Sequence, residues 1–342
     1  MQLILTIVAV TTPFAAELTE RLRTLVLRRQ QARPYLLDHP GERKGHIQPT
    51  PHLGGVAVSL STLAAVSGGL FISQIAIHFK VGILIIVSGA IAMLGLMDDL
   101  RQPFGPLARL TLEAIGASIV VFVIGMPLLS GILAVVWIVV ITNSFNLLDN
   151  SDGAMGTVAI VTATGLAIYA GAQGRIELAL LLSALAASLG GFLLHNWHPA
   201  QIFLGDCGSL FTGFVLSSGS VLLHSTEPLD RAASALLAFC LVATVDTALV
   251  ITSRRRARKS VFLGGRDHTA HRLQLLGLSV PGSAALLGLV ALLGVAVALL
   301  IDFLHVPPYA FLPVALAVIV AMARLLGIPA YDGDSMIVRT MR

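Results

Sequence analysis

The sequence predicts an all-α, polytopic integral membrane protein with about eleven transmembrane helices. Hydrophobic residues make up 56% of the 342 residues and charged residues only 12%, whereas an ordinary soluble domain carries roughly 25% charged residues. Uncharged runs of about 20 residues, the length that crosses a bilayer, recur along the chain. This composition excludes a soluble protein and leaves too little polar sequence for a separate soluble domain.

Charged residues, prolines and clustered glycines divide the chain into eleven candidate spans. The first has no basic segment before it and several arginines after it, so we interpret it as an anchor and not as a cleaved signal peptide. The uncharged stretch 114–148 is too long for one crossing, and we divide it near residues 125–131 into two spans. The predicted spans are 1–16, 54–77, 81–97, 107–125, 129–147, 154–173, 177–195, 207–224, 231–252, 281–301 and 306–326.

The distribution of lysine and arginine predicts the orientation of these spans. Of the 22 lysine and arginine residues, all but three lie on connections at one face. The three exceptions, Lys80, Arg175 and Arg231, lie at the other face. Because cytoplasmic loops are enriched in Lys and Arg, we expect the N-terminus outside and the C-terminus inside. The net charge of +4 then reflects topology and does not indicate nucleic-acid binding. We expect one domain, residues 1–342, whose active site is formed by cytoplasmic loops at about 17–53, 98–106, 148–153, 196–206 and 253–280.

Adjacent carboxylates end the third span on the predicted cytoplasmic side. Asp98 and Asp99 would repel one another unless a cation or a shared proton relieves them. Mg²⁺ is a natural partner, because it binds carboxylate and phosphate oxygens while it retains water ligands. The alternative is a solvated helix end with Arg101 as the counter-ion.

A second polar segment ends the fifth span. Asn143, Asn146, Asp149 and Asp152 recur every three residues, which places them on one helical stripe that runs into Gly153. Helix capping accounts for one or two such residues. Four of them in an otherwise apolar segment favour ligand binding.

Residues 205–209, with the sequence Gly-Asp-Cys-Gly-Ser, precede the eighth span. A tight loop at a helix N-terminus is suited to hold an anion or a metal through Asp206, although this short motif is weak evidence alone. For His195 and His198, next to Trp197, we favour an interfacial position at the level of the lipid headgroups.

The long connection before the tenth span carries His268 and His271, with Arg272 beside them. Imidazole and guanidinium groups together are suited to neutralise phosphate charge, and the lack of cysteines at zinc spacing argues against structural zinc. Glu113 and Asp246 lie within spans and are expected to face protein or water. Asp246 is nearer the cytoplasmic end and is expected to support the site from behind.

Read in order, these segments resemble the polyprenyl-phosphate N-acetylhexosamine-1-phosphate transferase family, glycosyltransferase family 4. The family includes the bacterial undecaprenyl-phosphate N-acetylglucosamine-1-phosphate transferases and the phospho-MurNAc-pentapeptide translocase. The resemblance extends from residue 43 to residue 273 and rests on five motifs in the same order at one face. Its members have eleven spans with the N-terminus outside, which agrees with the spans and orientation predicted above.

The resemblance implies transfer of N-acetylhexosamine-1-phosphate, with N-acetylglucosamine-1-phosphate expected, from a UDP-sugar to an undecaprenyl-type polyprenyl phosphate. The products are UMP and a polyprenyl-pyrophosphate sugar, in the first membrane step of cell-envelope glycan synthesis. Two anionic phosphates must approach each other, so a cation is required, and Mg²⁺ is expected with Mn²⁺ as a substitute. We expect a multi-pass protein of the plasma membrane that forms a homodimer, with UDP-N-acetylhexosamine, polyprenyl phosphate and the lipid bilayer as partners.

The resemblance also assigns three sets of site residues. The catalytic carboxylates are Asp98, Asp99, Asp149 and Asp152. The magnesium ligands are Asp206, Asp98 and Asp149. The substrate-binding residues are Asn143, Asn146, His268, His271, Arg272, Arg43, Lys44 and His46. Either of the adjacent aspartates would orient or deprotonate the lipid phosphate, the histidines and Arg272 would contact the donor pyrophosphate, and the residues at 43–46 would lie at the lipid-phosphate entrance.

Departures from the family pattern favour the N-acetylglucosamine branch. Asn150 stands where much of the family has glycine, Ala270 replaces a histidine, and no lysine lies four residues after Asp98 as in the translocase branch. Translocase activity therefore stays as an alternative. A secondary transporter is more remote, because transporter sites lie near the midplane between repeats. An inactive scaffold would not need the three separate acidic motifs. We favour direct attack by the lipid phosphate over a covalent aspartyl intermediate.

Overall fold

The computed structural model describes residues 2–29, 36–38, 49–100, 105–261, 265–304 and 306–328. Within this part of the chain, ten helices are long and apolar enough to cross a membrane, and a bent helix pair raises the number to eleven. The predicted fold class, an all-α polytopic membrane protein, is confirmed. The orientation of the bundle stays a prediction.

The helices are α1 (Gln2–Arg28), α2 (Gly54–Ser73), α3 (Phe79–Asp99), α4 (Pro106–Ile124), α5 (Leu128–Leu148), α6 (Ala154–Ala172), α7 (Ile176–Asn196), α8 (Gly205–Leu223), α9 (Leu229–Phe239), α10 (Leu241–Arg256), α11 (Thr269–Leu275), α12 (Val280–Phe303) and α13 (Leu312–Leu326). A short 3-10 helix, Pro308–Phe311, leads into α13. Two short strands, β1 (Leu37–Asp38) and β2 (Thr50–Pro51), pair antiparallel.

Helix α1 continues to Arg28, beyond the predicted end of the first span at residue 16. The charged half of this helix is stabilised by pairs along its own surface. Arg21 Nε lies 2.7 Å from Glu17 Oε1, and Arg23 Nε lies 2.8 Å from Glu20 Oε2. Pairs three or four residues apart face each other on a helix, so charge here does not mark a loop.

The ninth predicted span is broken into α9 and α10, whose axes differ by 81°. Cys240 at the break has non-helical backbone angles. The freed carbonyl of Phe239 accepts a hydrogen bond from Thr162 Oγ1 of α6 at 3.1 Å. Neither glycine nor proline occurs at the break, so the local sequence carries no signal for it. The bend is instead supported by contacts with other helices.

Helix α8 lies at the centre of the bundle and is buried on all sides from Cys207 to Leu223. It packs on α3, α5 and α2, while α7 packs on α1, α6 and α2. Small residues recur on α8, which lets neighbouring helix backbones come close, as is typical of packing in membranes. Since Asp206 lies in the first turn of this helix, its position is determined by the core.

Two glycines bring neighbouring helices against the start of α8. A Cβ on Gly95 of α3 would lie 2.3 Å from the backbone oxygen of Asp206. A Cβ on Gly55 of α2 would lie 2.1 Å from the backbone nitrogen of Gly208. The amide of Gly55 also donates to the carbonyl of Leu204 at 2.7 Å. The backbones of α2 and α3 thus contact the first turn of α8 directly.

Gly95→Ala is expected to lower the free energy of unfolding by about 1–3 kcal/mol, because the added methyl group has no space against the backbone of α8. The matched control is Gly68→Ala in α2, where a Cβ meets nothing within 4 Å. Thermal unfolding in detergent, followed with a thiol-reactive dye, makes use of the buried free thiols of Cys207 and Cys240. Equal midpoints for the two variants would contradict the packing argument.

The orientation can be tested with alkaline phosphatase, which is active only outside the cytoplasm. Because the positive charge lies at one face, a fusion after Gly174 in the α6–α7 connection is expected to be active. A fusion after Arg258, beyond α10, is expected to be inactive. Reporter activity in intact bacteria measures both, and the reverse pattern would invert the predicted topology.

Candidate active site

Asp206 is the centre of a polar site at the end of the bundle where α3 and α5 end and α8 begins. Its Oδ2 accepts a hydrogen bond from Arg109 Nη1 at 3.0 Å, and its Oδ1 accepts one from Asn146 Nδ2 at 2.7 Å. The same guanidinium nitrogen lies 3.4 Å from Asp98 Oδ2. The structure therefore brings Asp98, Asn146 and Asp206 together, as residues from three separate helices.

Asp99, the neighbour of Asp98, has a different environment. Its Oδ1 accepts the backbone N–H of Asp206 and its Oδ2 that of Cys207, both at 2.9 Å. These amides belong to the first turn of α8, where no carbonyl in the helix can accept from them. A carboxylate at this end is favoured by the helix dipole as well. Asp99 is thus a helix cap for α8, and Asp98 is the member of the pair that faces Arg109.

The cap is reinforced by a tight backbone approach at Gly205. This residue has φ +73°, a conformation that favours glycine, and a Cβ on it would lie 2.5 Å from the carbonyl oxygen of His52. The ring of His52 contacts the backbone oxygen of Asp99 at 3.0 Å through Nε2. The segment before α2 is therefore packed directly against the start of α8.

Arg109 was not among the predicted site residues. One turn further along α4, the buried Glu113 has Oε1 3.6 Å from Arg109 Nε, and Asn143 Nδ2 donates to its Oε2. The expectation that Glu113 faces protein is confirmed. Arg109 fitted the positive-inside pattern so well that the sequence offered no separate reason to place it in the site.

The predicted polar stripe is only partly a helix face. Asn143 and Asn146 lie on α5, but the helix ends at Leu148, and Asp149 and Asp152 follow it. Asp149 has backbone angles outside the helical region. A continuous helical stripe through residue 152 is therefore wrong. Burial, together with the charges of Asp206 and Asp152, raises the pKa of Asp149 to about 7.

Asp152 contacts the α7–α8 connection. Its Oδ2 accepts hydrogen bonds from His198 Nδ1 at 2.7 Å and from the backbone N–H of Ala200 at 3.0 Å. Asn196 adds a second link, because its Oδ1 accepts the N–H of Gly153. We favoured an interfacial position for His198 on the sequence alone, whereas the structure gives it Asp152 as a specific partner. The connection that leads to Asp206 is thus held against the turn after α5.

We call Asp98, Asp99, Asp149 and Asp206 the acidic cluster. Among the described residues, no three carboxylate, imidazole or thiolate groups are gathered so as to hold a metal ion by themselves. Magnesium, however, is usually held by one or two carboxylates together with substrate phosphates. The carboxylates of the acidic cluster are hard oxygen donors, and together they carry more negative charge than the one guanidinium of Arg109 can offset. Such a site fits Mg²⁺.

The second polar region is residues 267–272, here called the histidine segment. It is held by α10, where Asp246 Oδ2 lies 2.8 Å from His268 Nδ1. Arg254, also on α10, forms a bidentate ion pair with Asp267, and both N–O distances are 3.0 Å. The expectation that Asp246 is enclosed by protein is confirmed. It lies directly behind the histidine segment.

Arg272 is buried, and its donors are directed at the protein. Nε donates to the carbonyl of Asp267, Nη2 to Ser253 Oγ, and Nη1 to the carbonyls of Leu325 and Ile328 at the end of α13. This arrangement differs from the predicted contact with a donor pyrophosphate. In the structure Arg272 joins the histidine segment to the last helix.

Of the two histidines in the histidine segment, His271 has the ring with free hydrogen-bonding capacity. Its Nδ1 has no hydrogen-bond partner among the described residues. Burial and the neighbouring positive charge of Arg266 lower the pKa of His271 to about 3, so the ring is neutral at pH 7. It is suited to hydrogen bonding and not to the charge neutralisation that we predicted.

The histidine segment and the acidic cluster lie at the same end of the bundle. Gln274 Nε2 of α11 donates to Ser151 Oγ at 3.1 Å, in the turn between Asp149 and Asp152. Of the remaining predicted site residues, Arg43, Lys44 and His46 lie outside the described residues. Sequence analysis therefore identified both regions, and the structure shows how they are joined.

The sequence matches the family described as glycosyl transferase family 4 over residues 81–224. This region includes every member of the acidic cluster. It ends before α10 and the histidine segment, which were identified here by their residues alone.

Individual relatives extend the match. A Streptomyces coelicolor protein named as a glycosyltransferase is 41% identical over 256 residues, which cover 74% of this chain and 61% of that protein. A Bacillus subtilis protein named as an undecaprenyl-phosphate N-acetylglucosaminyl 1-phosphate transferase is 29% identical, covering 77% of this chain and 76% of that protein. A Mycobacterium leprae protein, decaprenyl-phosphate N-acetylglucosaminephosphotransferase, is 30% identical, covering 70% of each chain. The chain thus spans less than two thirds of the Streptomyces protein but more of the other two.

These similarities agree with the resemblance found in the motifs and include the segments that carry Asp98, Asp149 and Asp206. The chain therefore belongs to glycosyl transferase family 4.

Proposed function

We propose that this protein transfers N-acetylhexosamine-1-phosphate, preferably N-acetylglucosamine-1-phosphate, from a UDP-sugar to a polyprenyl phosphate at the cytoplasmic face of the plasma membrane. The observation that carries the proposal is the acidic cluster, in which Asp98 of α3 and Asp206 of α8 meet at Arg109 of α4. The names of the Bacillus and Mycobacterium relatives, which specify polyprenyl phosphates, support this acceptor class.

In the proposed reaction, an oxygen of the lipid phosphate attacks the β-phosphorus of the UDP-sugar, which carries the sugar. The bond from this phosphorus to the oxygen bridging to the α-phosphorus breaks, and UMP leaves with that oxygen. The lipid product keeps a pyrophosphate link to the sugar. Since both reactants are anions, the site must offset negative charge and place the two phosphates in line.

Asp206, Asp98 and Asp149 would hold Mg²⁺, the ion we propose as cofactor. When bound, the ion neutralises phosphate charge and orients the reacting oxygens. Asp98, which faces Arg109 and not the α8 backbone, is the member of the aspartate pair proposed to orient or deprotonate the acceptor phosphate. Asp99 contributes by capping α8 and thereby fixing Asp206.

Arg109 is proposed to bind the acceptor phosphate. Its side chain is partly exposed, and it contacts Asp98 and Asp206 at the same time. A guanidinium offers a planar fork of donors that matches phosphate oxygens. Binding of an anion there would shift the guanidinium from the two carboxylates to the phosphate and leave carboxylate oxygens for a metal.

Asp206→Asn is expected to lower the rate of UMP release by roughly 10²–10³-fold, the range for loss of one electrostatic contact in a transition state. The amide preserves size but removes the charge. Asp230→Asn, at an exposed site in the first turn of α9, is the control and should keep the wild-type rate. Release of UMP by detergent-purified protein measures both. A wild-type rate in Asp206→Asn would remove this residue from the mechanism.

The donor and the metal can be tested in one series of reactions with polyprenyl phosphate. We expect the fastest UMP release with UDP-N-acetylglucosamine and Mg²⁺, a slower rate with UDP-N-acetylgalactosamine, and none with EDTA until Mg²⁺ is added in excess. UDP-MurNAc-pentapeptide serves as the third donor, and preference for it would assign translocase activity instead. Absence of release with every UDP-N-acetylhexosamine would contradict the proposed reaction.

A further inference from the structure

Asp246 belongs to a buried chain of polar groups that lies behind the histidine segment. Its Oδ1 accepts the backbone N–H of Thr269 at 2.7 Å, and its Oδ2 contacts His268 Nδ1 at 2.8 Å. The two carboxylate oxygens of Asp246 therefore contact two consecutive residues, His268 and Thr269, at the start of α11. A carboxylate accepts hydrogen bonds, so Nδ1 of His268 must carry the proton.

The other nitrogen of His268 is also occupied. Nε2 lies 3.5 Å from Nη2 of Arg254, which is a donor in every protonation state. The same guanidinium group contacts the carboxylate of Asp267. The chain therefore runs from a carboxylate through an imidazole and a guanidinium to a second carboxylate. His268 is buried, and both its ring nitrogens face protein groups. The ring is therefore placed to orient the segment and not to touch the donor.

His271 is the neighbouring histidine with hydrogen-bonding capacity left over, because its buried Nδ1 has no partner among the described residues. It lies three residues before Gln274 on α11, and residues with this spacing share one helix face. Gln274 contacts Ser151 in the turn that follows Asp149. The ring of His271 packs edge-on against that of His268, with the ring centres 6.0 Å apart. His271 thus shares a face of α11 with Gln274, the residue that contacts the turn after Asp149.

We infer that Asp246 is a positioning residue for the reaction: by holding His268 and the first amide of α11, it presents His271 to the donor pyrophosphate. This inference rests on the proposed function for its effect on rate, but not for its effect on the ring of His268. No charge needs to move in this arrangement. Asp246 acts by selecting the Nδ1–H form of His268 and the direction of α11.

Asp246→Asn is the sharpest probe, because it changes the hydrogen-bonding pattern and not the size. The amide cannot accept from both partners, so its NH₂ must face either His268 Nδ1 or the N–H of Thr269. Facing Nδ1, it would donate and shift the ring proton to Nε2. We expect kcat/KM for UMP release to fall roughly 10- to 100-fold, the range for loss of a carboxylate that orients a functional histidine.

The chain offers a matched control at the opposite end of the bundle. His224 Nε2 lies 3.2 Å from Asp302 Oδ2, and both side chains are buried. His224 follows the far end of α8, roughly 27 Å from Asp206 at 1.5 Å per helical residue. Asp302→Asn makes the same change in the same kind of pair and is expected to keep the wild-type rate. Equal losses in both variants would mean that Asp246 is only structural and would overturn the inference.

A second variant tests whether Asp246 acts through His271. His271→Ala is expected to lower the rate at least as much as Asp246→Asn, and the double variant should lose no more than His271→Ala alone. Residues that act as one unit give such non-additive losses, whereas independent residues give additive ones. Additive losses would overturn the inference even if each single variant is slow.

Nitrogen-15 NMR of histidine-labelled protein in detergent gives a readout that needs no activity. We expect His268, assigned with His268→Gln, to be protonated at Nδ1 in the wild type and to give a changed ring signal in Asp246→Asn, because the amide cannot replace the carboxylate toward both His268 and Thr269. An unchanged ring signal would overturn the inference. If the wild type released no UMP from any donor, the proposed function would fail, and this measurement would still decide whether Asp246 sets the state of His268.

Discussion

The candidate site depends on the contact between the carboxylate of Asp99 and the first turn of α8. Both oxygens accept backbone amides there, at 2.9 Å each. Helix α8 is buried from Cys207 onward, and the free amides of its first turn need a partner from outside the helix. The negative charge also suits the positive end of the helix dipole. One contact therefore joins α3 to α8 and sets where Asp206 lies relative to Arg109.

A second constraint is the break at Cys240, which turns α10 through 81° relative to α9. After this turn, α10 places Asp246 and Arg254 against the histidine segment. Buried charges are tolerated here because each has a partner of opposite charge or a hydrogen-bond donor. The hydrogen bond from Gln274 to Ser151 then connects this region to the turn after α5. The site is thus formed by a central buried helix and a bent peripheral one.

Sequence analysis found most of the site because carboxylates and amides are rare in apolar spans and therefore stand out. Asp98, Asn146 and Asp206 were expected at one face, and they are in contact with one another or with Arg109. Arg109 was missed because a basic residue at a helix end on the predicted cytoplasmic face already had a topological explanation. The role of Arg272 differed for a related reason: its partners Leu325 and Ile328 are more than fifty residues away, and no local pattern indicates them.

The sequence by itself determined the fold class, the approximate spans and the face on which the polar residues gather, because these follow from hydropathy and charge along the chain. Tertiary structure decided which polar groups form hydrogen bonds within the protein and which keep hydrogen-bonding capacity that a substrate could use. Asp98 and Asp99 are adjacent and chemically identical, yet one faces Arg109 and the other caps α8. That difference depends on which backbone amides reach each carboxylate after the helices pack, and neighbours in three dimensions are not encoded in local spacing.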